Sequence, residues 1–307
     1  MQTPEYPSAP YTLIGSLMVF IAAVALSSKA IIVKLAYIYA VDASTLIALR
    51  MAFSTPFFMG IALWAHLSPA TLKISPQDGW MLALFGAIGG YGPMLLDFAG
   101  LQYVSAGLER VILFLYPAIV IFFSALLFKK PISKLEWFAL VINYVGIAMA
   151  VGHDLSSTKA GSANTLLGAG LVFASAVLYA AYLVYSSWAI PRIGSTSFTA
   201  YTMLAAAVAS GVHYSVTVHP VSIFQLPMQV YWLSLLMAVV ATVLPAILLN
   251  AGIHRIGSNR SSLVSSIGPI STILLAYVFL GEHITWFQLG GTALVLAGVP
   301  TISLAKK

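Results

Sequence analysis

The sequence predicts an all-α integral membrane protein with ten transmembrane helices arranged as two inverted repeats of five helices. Three observations predict this fold class: an apolar composition, ten apolar segments of membrane-spanning length, and a match between the two halves of the chain. Of the 307 residues, 60% are hydrophobic and 7% are charged, and the mean hydropathy is +0.97. Soluble domains carry about 25% charged residues because their surfaces face water. Most of this surface must therefore face lipid.

Ten segments are long enough to cross a membrane, since a helix needs about 20 apolar residues to span about 30 Å of hydrocarbon. Short polar or Pro-, Gly- and Ser-containing stretches separate them. Backbone groups in lipid must be bonded within the protein, and these segments are too long and too continuously apolar for barrel strands, so we expect helices. The predicted spans are Tyr11–Leu35, Ser44–Leu67, Trp80–Val104, Ser105–Phe128, Lys134–Gly152, Asn164–Trp188, Ser195–Thr217, Val230–Ile253, Ser258–Leu280 and Thr285–Leu304.

The basic residues predict the orientation of the chain. The net charge is +6, but Lys and Arg stand singly or in loops without a basic face, so we expect no nucleic-acid partner. The N-terminal segment Met1–Pro10 lacks Lys and Arg, which favours a retained first span over a cleaved signal peptide. With ten spans, the termini and the even-numbered connections share one side. That side carries nine basic residues against four, which predicts an inner-membrane protein with both termini in the cytoplasm.

The two halves of the chain align with each other over most of their length. The matched pairs include Leu13 with Leu166, Gly15 with Gly168, Val19 with Val172, Pro93 with Pro245, Gly100 with Gly252, Pro117 with Pro269, and Gly146 with Gly298. We therefore predict a first repeat at 11–152, a connection at 153–163 and a second repeat at 164–305. Five is an odd number, so the second repeat enters the membrane inverted. Inverted repeats are typical of secondary transporters that bind substrate near the midplane between the halves.

Several short motifs carry a family resemblance. The second half contains Ile267-Gly268-Pro269, then Leu280-Gly281-Glu282, then Gly290-Gly291 and Leu296-Ala297-Gly298; the first half contains Leu49-Arg50 and Tyr116-Pro117. With these motifs the whole chain resembles the drug/metabolite transporter superfamily, specifically its EamA-type ten-helix members with two EamA repeats. The first half departs from the repeat by having Lys129-Lys130 in place of Gly-Glu. The resemblance implies a secondary transporter, often an exporter, of an amino acid or another small metabolite.

Five charged residues lie four or more residues inside the ends of the predicted spans, all in the outer third of the membrane: Lys29, Arg50, Asp97, Glu109 and Arg110. Such residues are costly in lipid, so each is a candidate functional residue. In one interpretation Asp97 or Glu109 exchanges a proton or acts as a gate, while Lys29 or Arg110 meets an anionic group of the substrate. In the other, Arg50 forms a structural ion pair, for instance with Asp97, and Lys29 snorkels to the interface.

Polar and aromatic residues near mid-span are candidate substrate contacts: Tyr116, Tyr179 and Asn250. The matched prolines remove backbone hydrogen bonds at equivalent places in both repeats. Two interpretations remain open for them, hinges or elements that only shape the bundle.

Motifs of other function classes do not occur in the sequence. There is no cysteine, no phosphate-binding Gly-x-x-x-x-Gly-Lys-Ser/Thr loop and no metal spacing among the six histidines. We therefore expect no enzyme activity and no cofactor or metal. The expected partners are a small-molecule substrate, membrane lipid and protons as a candidate coupling ion, in a monomer or a homodimer. One alternative is a flippase or carrier of an amphipathic lipid-linked substrate, and a more distant one is a membrane enzyme or sensor.

Overall fold

The structure, a computed structural model, describes residues 9–67, 74–129, 162–217, 223–265 and 267–304, with isolated helical positions between 134 and 149. Its helices are α1 (Ala9–Tyr37), α2 (Ala43–Leu67), α3 (Pro76–Leu101), α4 (Ala106–Leu113), α5 (Tyr116–Phe128), α6 (Ser162–Ile193), α7 (Ser195–Thr217), α8 (Met228–Ala238, Val239–Val243 and Leu244–Ser265), α9 (Gly268–Leu280) and α10 (Trp286–Leu304). No strand occurs among these residues, and the predicted all-α fold class is confirmed. Most of the predicted fifth span and of the predicted connection at 153–163 lies outside the described residues.

Length and composition make six of the described segments capable of crossing a membrane. They are Leu13–Tyr37, Ala43–Leu67, Pro76–Leu101, Ala106–Leu127, Ala163–Ile193 and Met228–Ile253, and Gly268–Leu280 is a shorter apolar helix. Many large apolar side chains on these helices are exposed, including Trp64 and Trp232. Such an apolar exterior is expected of a surface that contacts lipid rather than water.

Prolines widen α3 and α8 at equivalent places in the two repeats. Pro93 follows a π-helical turn at Gly86–Tyr91, and Pro245 follows one at Val239–Val243. Proline donates no backbone hydrogen bond, and its ring clashes with the carbonyl four residues earlier. The preceding turn therefore expands from α-helical to π-helical geometry in both repeats.

A second pair of prolines marks a matched break. α4 ends at Leu113 and α5 begins at Tyr116, just before Pro117. In the second repeat α8 ends at Ser265 and α9 begins just before Pro269. The predicted fourth span is therefore two helices rather than one. The predicted break between the eighth and ninth spans was placed wrongly, because α8 continues through Gly257 and Ser258; one glycine costs a helix only about 1 kcal/mol.

Helices of one repeat pack mainly on helices of the other. α1 lies along α8, α3 lies along α6, and α2 lies against α7. Glycines permit the two equivalent crossings: a Cβ on Gly100 would lie 3.0 Å from the carbonyl oxygen of Gly168, and a Cβ on Gly252 would lie 3.0 Å from that of Gly15. Small residues at such contacts let helices in a membrane approach closely. These four glycines are two of the pairs that aligned in the sequence, so the repeat appears as a pseudo-symmetric pair of helix crossings.

The bundle has two ends, named here by one residue each. The Asp42 face carries residues 40–42, 102–105 and 281–285, which an open cavity and the contacts of Glu282 bring together. The Lys129 face is the opposite end, with Lys129 after α5 and Gly194 between α6 and α7. Under the predicted orientation the Asp42 face is external and the Lys129 face is cytoplasmic.

Candidate functional site

A buried ion cluster joins α1, α3 and α4. The Lys29 ammonium lies 2.5 Å from Asp97 Oδ2 and 3.1 Å from Glu109 Oε1. Glu109 is fully buried and Asp97 nearly so, while 18% of the Lys29 side chain is exposed. Three of the five charges that the sequence placed at one depth thus meet in a single site. Lys29 lies between carboxylates and does not extend alone toward the membrane interface.

The cluster holds two carboxylates against one ammonium. Asp97 Oδ1 and Glu109 Oε2 are buried and have no hydrogen-bond partner in the described part of the chain. Two buried carboxylates that share one cation are costly unless a further positive charge or a proton joins them. The arrangement is therefore chemically suited to take up and release a proton, or to accept a cationic group.

Arg50 makes different contacts from those predicted. Its Nε donates to Thr242 Oγ1 at 3.0 Å, and its guanidinium carbon lies 5.6 Å from the centre of the Phe98 ring. Asp97 pairs with Lys29, so the predicted ion pair between Arg50 and Asp97 is not formed. The physical reason is that the π-helical turn of α8 brings Thr242 against α2, while α1 brings Lys29 to Asp97. Arg50 links the first repeat to the second, and its Nη1 is buried without a partner among the described residues.

Arg110 occupies a space that a glycine leaves open. Its guanidinium carbon lies 5.3 Å from the centre of the Phe114 ring, and its Nη2 would be 2.6 Å from a Cβ placed on Gly268. Ser27 of α1 donates to the carbonyl oxygen of the same glycine at 2.9 Å. Any side chain at position 268 would displace Arg110, which gives a steric reason for the glycine of the Ile267-Gly268-Pro269 motif.

The two candidate tyrosines lie side by side. The rings of Tyr116 and Tyr179 are 5.2 Å apart at 77°, an edge-to-face contact between α5 and α6. Tyr182, one turn further along α6, stacks on Tyr179 at 6.3 Å and shares a 3.0 Å hydrogen bond with Thr202. These aromatic faces run from the neighbourhood of Arg110 toward the Lys129 face. The backbone of Asn250 belongs to α8, but its side chain lies outside the described residues, so its role stays a prediction.

Glu282 makes a contact that the sequence did not reveal. Both of its carboxylate oxygens accept from the Ala106 backbone N–H at 3.1 Å, and Oε2 also accepts from that of Gly107 at 3.5 Å. The Lys34 ammonium lies 3.8 Å away. A helix begins with unpaired N–H groups and a partial positive charge, both of which favour a carboxylate there. The Gly281-Glu282 motif could be recognised in the sequence, but the sequence does not show which backbone N–H groups the carboxylate binds.

An open cavity of about 430 Å³ lies on the Asp42 face beside this contact. Its lining comprises Lys34, Tyr37, Ala40, Val41, Asp42, Leu101 and Gln102. Burial alone would raise the pKa of the Asp42 carboxyl, but hydrogen bonds from Ser44 and Thr45 outweigh burial and hold that pKa below its ordinary value. The cavity is therefore a charged vestibule with both an ammonium and a carboxylate.

The family model described as EamA-like transporter family matches residues 13–152 and again 166–304. The chain belongs to the EamA-like transporter family. It is accordingly a multi-pass membrane transporter with two EamA repeats. The Lys29, Asp97 and Glu109 cluster lies wholly within the first repeat, whereas Glu282 belongs to the second.

Similar proteins carry transporter names. The chain is 32% identical to "Uncharacterized transporter YcbK" of Bacillus subtilis, over 93% of this chain and 92% of that protein. It is 24% identical to "Threonine/homoserine exporter RhtA" of Salmonella typhimurium, over 84% of this chain and 80% of that protein. A solved crystal structure superposes with a TM-score of 0.62 over 95% of this chain and 96% of that one, at 18% identity, which supports the fold alone.

Proposed function

We propose that this EamA family protein exports a small amino acid or a related metabolite across the cell membrane by alternating access. The observation that carries the proposal is the partly buried Lys29 that bridges the buried carboxylates of Asp97 and Glu109 in a protein of this transporter family. The name of the Salmonella typhimurium relative makes threonine and homoserine the first substrates to test. In this proposal both termini lie in the cytoplasm, which the excess of basic residues on that side supports.

In this proposal Asp97 and Glu109 carry the coupling proton. With both carboxylates ionised the pair has one negative charge more than Lys29 alone neutralises. Arg50 and Arg110 offset part of this charge from a greater distance, and a proton removes the excess at the ion pair itself. Before a proton binds, Lys29 lowers the energetic cost of holding two ionised carboxylates inside the protein. A proton that enters from the external side would weaken the contact of α1 with α3 and α4, because the ion pairs, together with the hydrogen bond from Tyr37 to the Phe98 carbonyl oxygen, join these helices.

The substrate in this proposal lies deeper than the cluster, between the two repeats. Arg110 would meet an anionic group, Tyr116 and Tyr179 would contact the apolar part, and Asn250 would offer a hydrogen bond from the second repeat. Support comes from the partly buried edge-to-face tyrosine pair beside Arg110. Sites with mostly apolar walls and a few charged groups are typical of small-molecule binding.

The test is flux into and out of proteoliposomes, with threonine and homoserine as probes and with or without a pH gradient. We expect flux above that of empty liposomes and acceleration by the gradient. Asp97→Asn and Glu109→Gln should remove the effect of the gradient, while Asp78→Asn, an acid far from the cluster, should retain it. Unchanged proton dependence in both cluster variants would refute the coupling role, and absence of flux for a broad panel of amino acids would refute the substrate class.

Counterflow separates binding from coupling. A variant that lacks only the proton site should still exchange substrate across the membrane when no gradient is present. We therefore expect Glu109→Gln to retain exchange and Tyr179→Ala to raise the concentration of substrate needed for half-maximal exchange. The opposite pattern would exchange the roles assigned to the two sites.

A further inference from the structure

Glu282 connects the two repeats at the Asp42 face. The residue follows α9 in the second repeat, and its carboxylate binds the first N–H groups of α4 in the first repeat. Only 21% of its side chain is exposed, so water competes weakly for these bonds. Hydrogen bonds to a charged group are among the stronger ones in proteins. Any motion that parts α9 from α4 at this face must break them.

The sequence and the described backbone of α8 give two independent reasons against an equivalent contact at the Lys129 face. The first is the acceptor: Glu282 aligns with Lys130 in the sequence, and an ammonium only donates hydrogen bonds. The second is the donor: α4 begins after the non-helical residue Ser105, but at the aligned place α8 runs without interruption from Leu244 to Ser265. The N–H groups there are already used inside the helix. Among the described residues, the carboxylate contact between the repeats, called here the latch and formed by Glu282 with the N–H groups of Ala106 and Gly107, therefore occurs at the Asp42 face and not at the aligned place.

The Lys129 face has an ion pair of another kind. Arg192 Nη2 lies 3.5 Å from Asp78 Oδ1, and about half of the Arg192 side chain is exposed. Only 15% of the Asp78 side chain is exposed, but water screens the half-exposed Arg192, and this long side chain loses freedom in the pair, which limits the contribution of the pair. This pair cannot balance a partly buried carboxylate that binds backbone N–H groups. The two faces therefore differ in how firmly they are closed.

We propose that Glu282 is the gating residue of the transporter at the Asp42 face, and that its one-sided latch makes the resting protein open preferentially at the Lys129 face. This inference rests on the proposed transport function for its role in a cycle, but the latch itself is a property of the protein without substrate. Under the predicted orientation, the resting protein would load from the cytoplasm, which suits an exporter. The size of this preference is set by the difference in free energy of the Glu282 contact between the state closed at the Asp42 face and the state open at that face.

The absence of cysteine in the sequence permits a direct test. Leu101→Cys places a thiol at a buried position in the lining of the Asp42-face cavity, and Gln102→Cys places one at its exposed neighbour. The labelling rate with a membrane-impermeant maleimide, taken as the ratio of the two, reports opening of that face. The measurement is made on the full chain in proteoliposomes, with the reagent added to each side in turn.

In the Glu282→Gln background we expect the Leu101→Cys ratio to rise about tenfold, because the amide keeps the shape but loses the charge that holds α4. Glu282→Asp keeps the charge and should give a smaller rise. Asp78→Asn is the matched control at the other face and should leave the ratio as in the parent. An unchanged ratio in Glu282→Gln, or an equal rise in Asp78→Asn, would overturn the latch.

A folding defect is separated from gating by the thermal midpoint and by labelling of Gln102→Cys. The proposal requires both to stay close to the parent in Glu282→Gln, and a general loss of structure would raise the labelling of both thiols together and count against it. Failure of the proposed function is also distinguishable. A raised ratio in a protein that transports none of the amino acids tested supports the latch and refutes the substrate; transport with an unchanged ratio does the reverse.

Discussion

Removal of the Lys29 ammonium is the most informative perturbation of the ion cluster. In Lys29→Met the two carboxylates of Asp97 and Glu109 keep their buried positions but lose the cation 2.5 Å and 3.1 Å away. Breaking a buried pair by removing one partner costs about 3–5 kcal/mol, because an uncompensated charge is left inside the protein. Since 18% of the Lys29 side chain is exposed, we expect a loss near the lower end of that range.

The assay is equilibrium unfolding in mixed micelles, followed by the fluorescence of the six tryptophans. A loss of about 3 kcal/mol corresponds to roughly a hundredfold change in the unfolding constant, which this method resolves. Lys34→Met is the matched control, since its ammonium lies 3.8 Å from Glu282 and is more exposed. We expect that control to lose less than about 1 kcal/mol.

A rescue variant decides whether charge is the cause. Lys29→Met combined with Asp97→Asn and Glu109→Gln removes both unpaired charges while it preserves side-chain volume. Replacement of a buried ionic group by neutral residues of similar size is often neutral or stabilising, so most of the lost stability should return. If Lys29→Met alone is as stable as the parent, or if the triple variant is no more stable than Lys29→Met, the electrostatic account of the cluster is wrong.

Three further predictions concern local structure. Gly100→Ala should lower the thermal midpoint and the yield, because the added Cβ would lie 2.6 Å from Val172 where α3 crosses α6. Gly170 has open space around it, so Gly170→Ala should keep the thermal midpoint of the parent. Lys129→Gly should raise the free energy of unfolding by up to about 1 kcal/mol, since Lys129 has φ 52° and a left-handed conformation costs a side chain about 1–2 kcal/mol; an unchanged or lower value would contradict the strain. The pKa of the Asp42 carboxyl is lowered in the folded protein, so the ionised carboxylate stabilises the fold at pH values above the ordinary carboxyl pKa, and this stabilisation is lost as the pH falls through the folded pKa. The difference in thermal midpoint between the parent and Asp42→Asn should therefore shrink on acidification. A difference that grows would refute this prediction.

Sequence reasoning predicted features that depend on position along a helix. Apolar length gave the spans, and the aligned prolines marked places where both repeats lose a hydrogen bond, which the structure shows as π-helical turns and helix breaks. Depth along the helix axis also placed Lys29, Asp97 and Glu109 at one level. A depth estimate contains no information about which way a side chain points around the axis. The pairing of Asp97 with Arg50, which one of the two interpretations gave as an example, therefore does not form, although the depth of Asp97 matches that of Lys29 and Glu109.

The contacts that sequence reasoning missed involve partners without a sequence signal. Arg50 binds Thr242 because a π-helical turn changes the rotation of α8, and neither residue marks the other in the sequence. Glu282 binds backbone N–H groups, which every non-proline residue has. Only the break at Ser105 makes those groups free. Finding that break required the three-dimensional path of the chain.

The way the repeats interleave gives the cluster a mechanical role. Lys29 lies on α1, which packs along α8 and α9, whereas Asp97 lies on α3, which packs along α6. The ion pair therefore connects two packing units, each built from helices of both repeats and related to one another by the pseudo-symmetry. Separation of these units at the level of the cluster must break the pair.

At the pseudo-symmetric place the positions aligned with Lys29 and Asp97 are Tyr182 and Leu249, which carry no charge. The units thus have an ionic connection on the Asp42 side of the membrane midplane, and the aligned positions on the other side carry no charge. In the proposed cycle a proton would alter the ionic connection alone. Two inverted repeats of nearly the same fold would otherwise open equally well to either side, so under this proposal the difference in side chains would let a proton gradient bias the direction of opening.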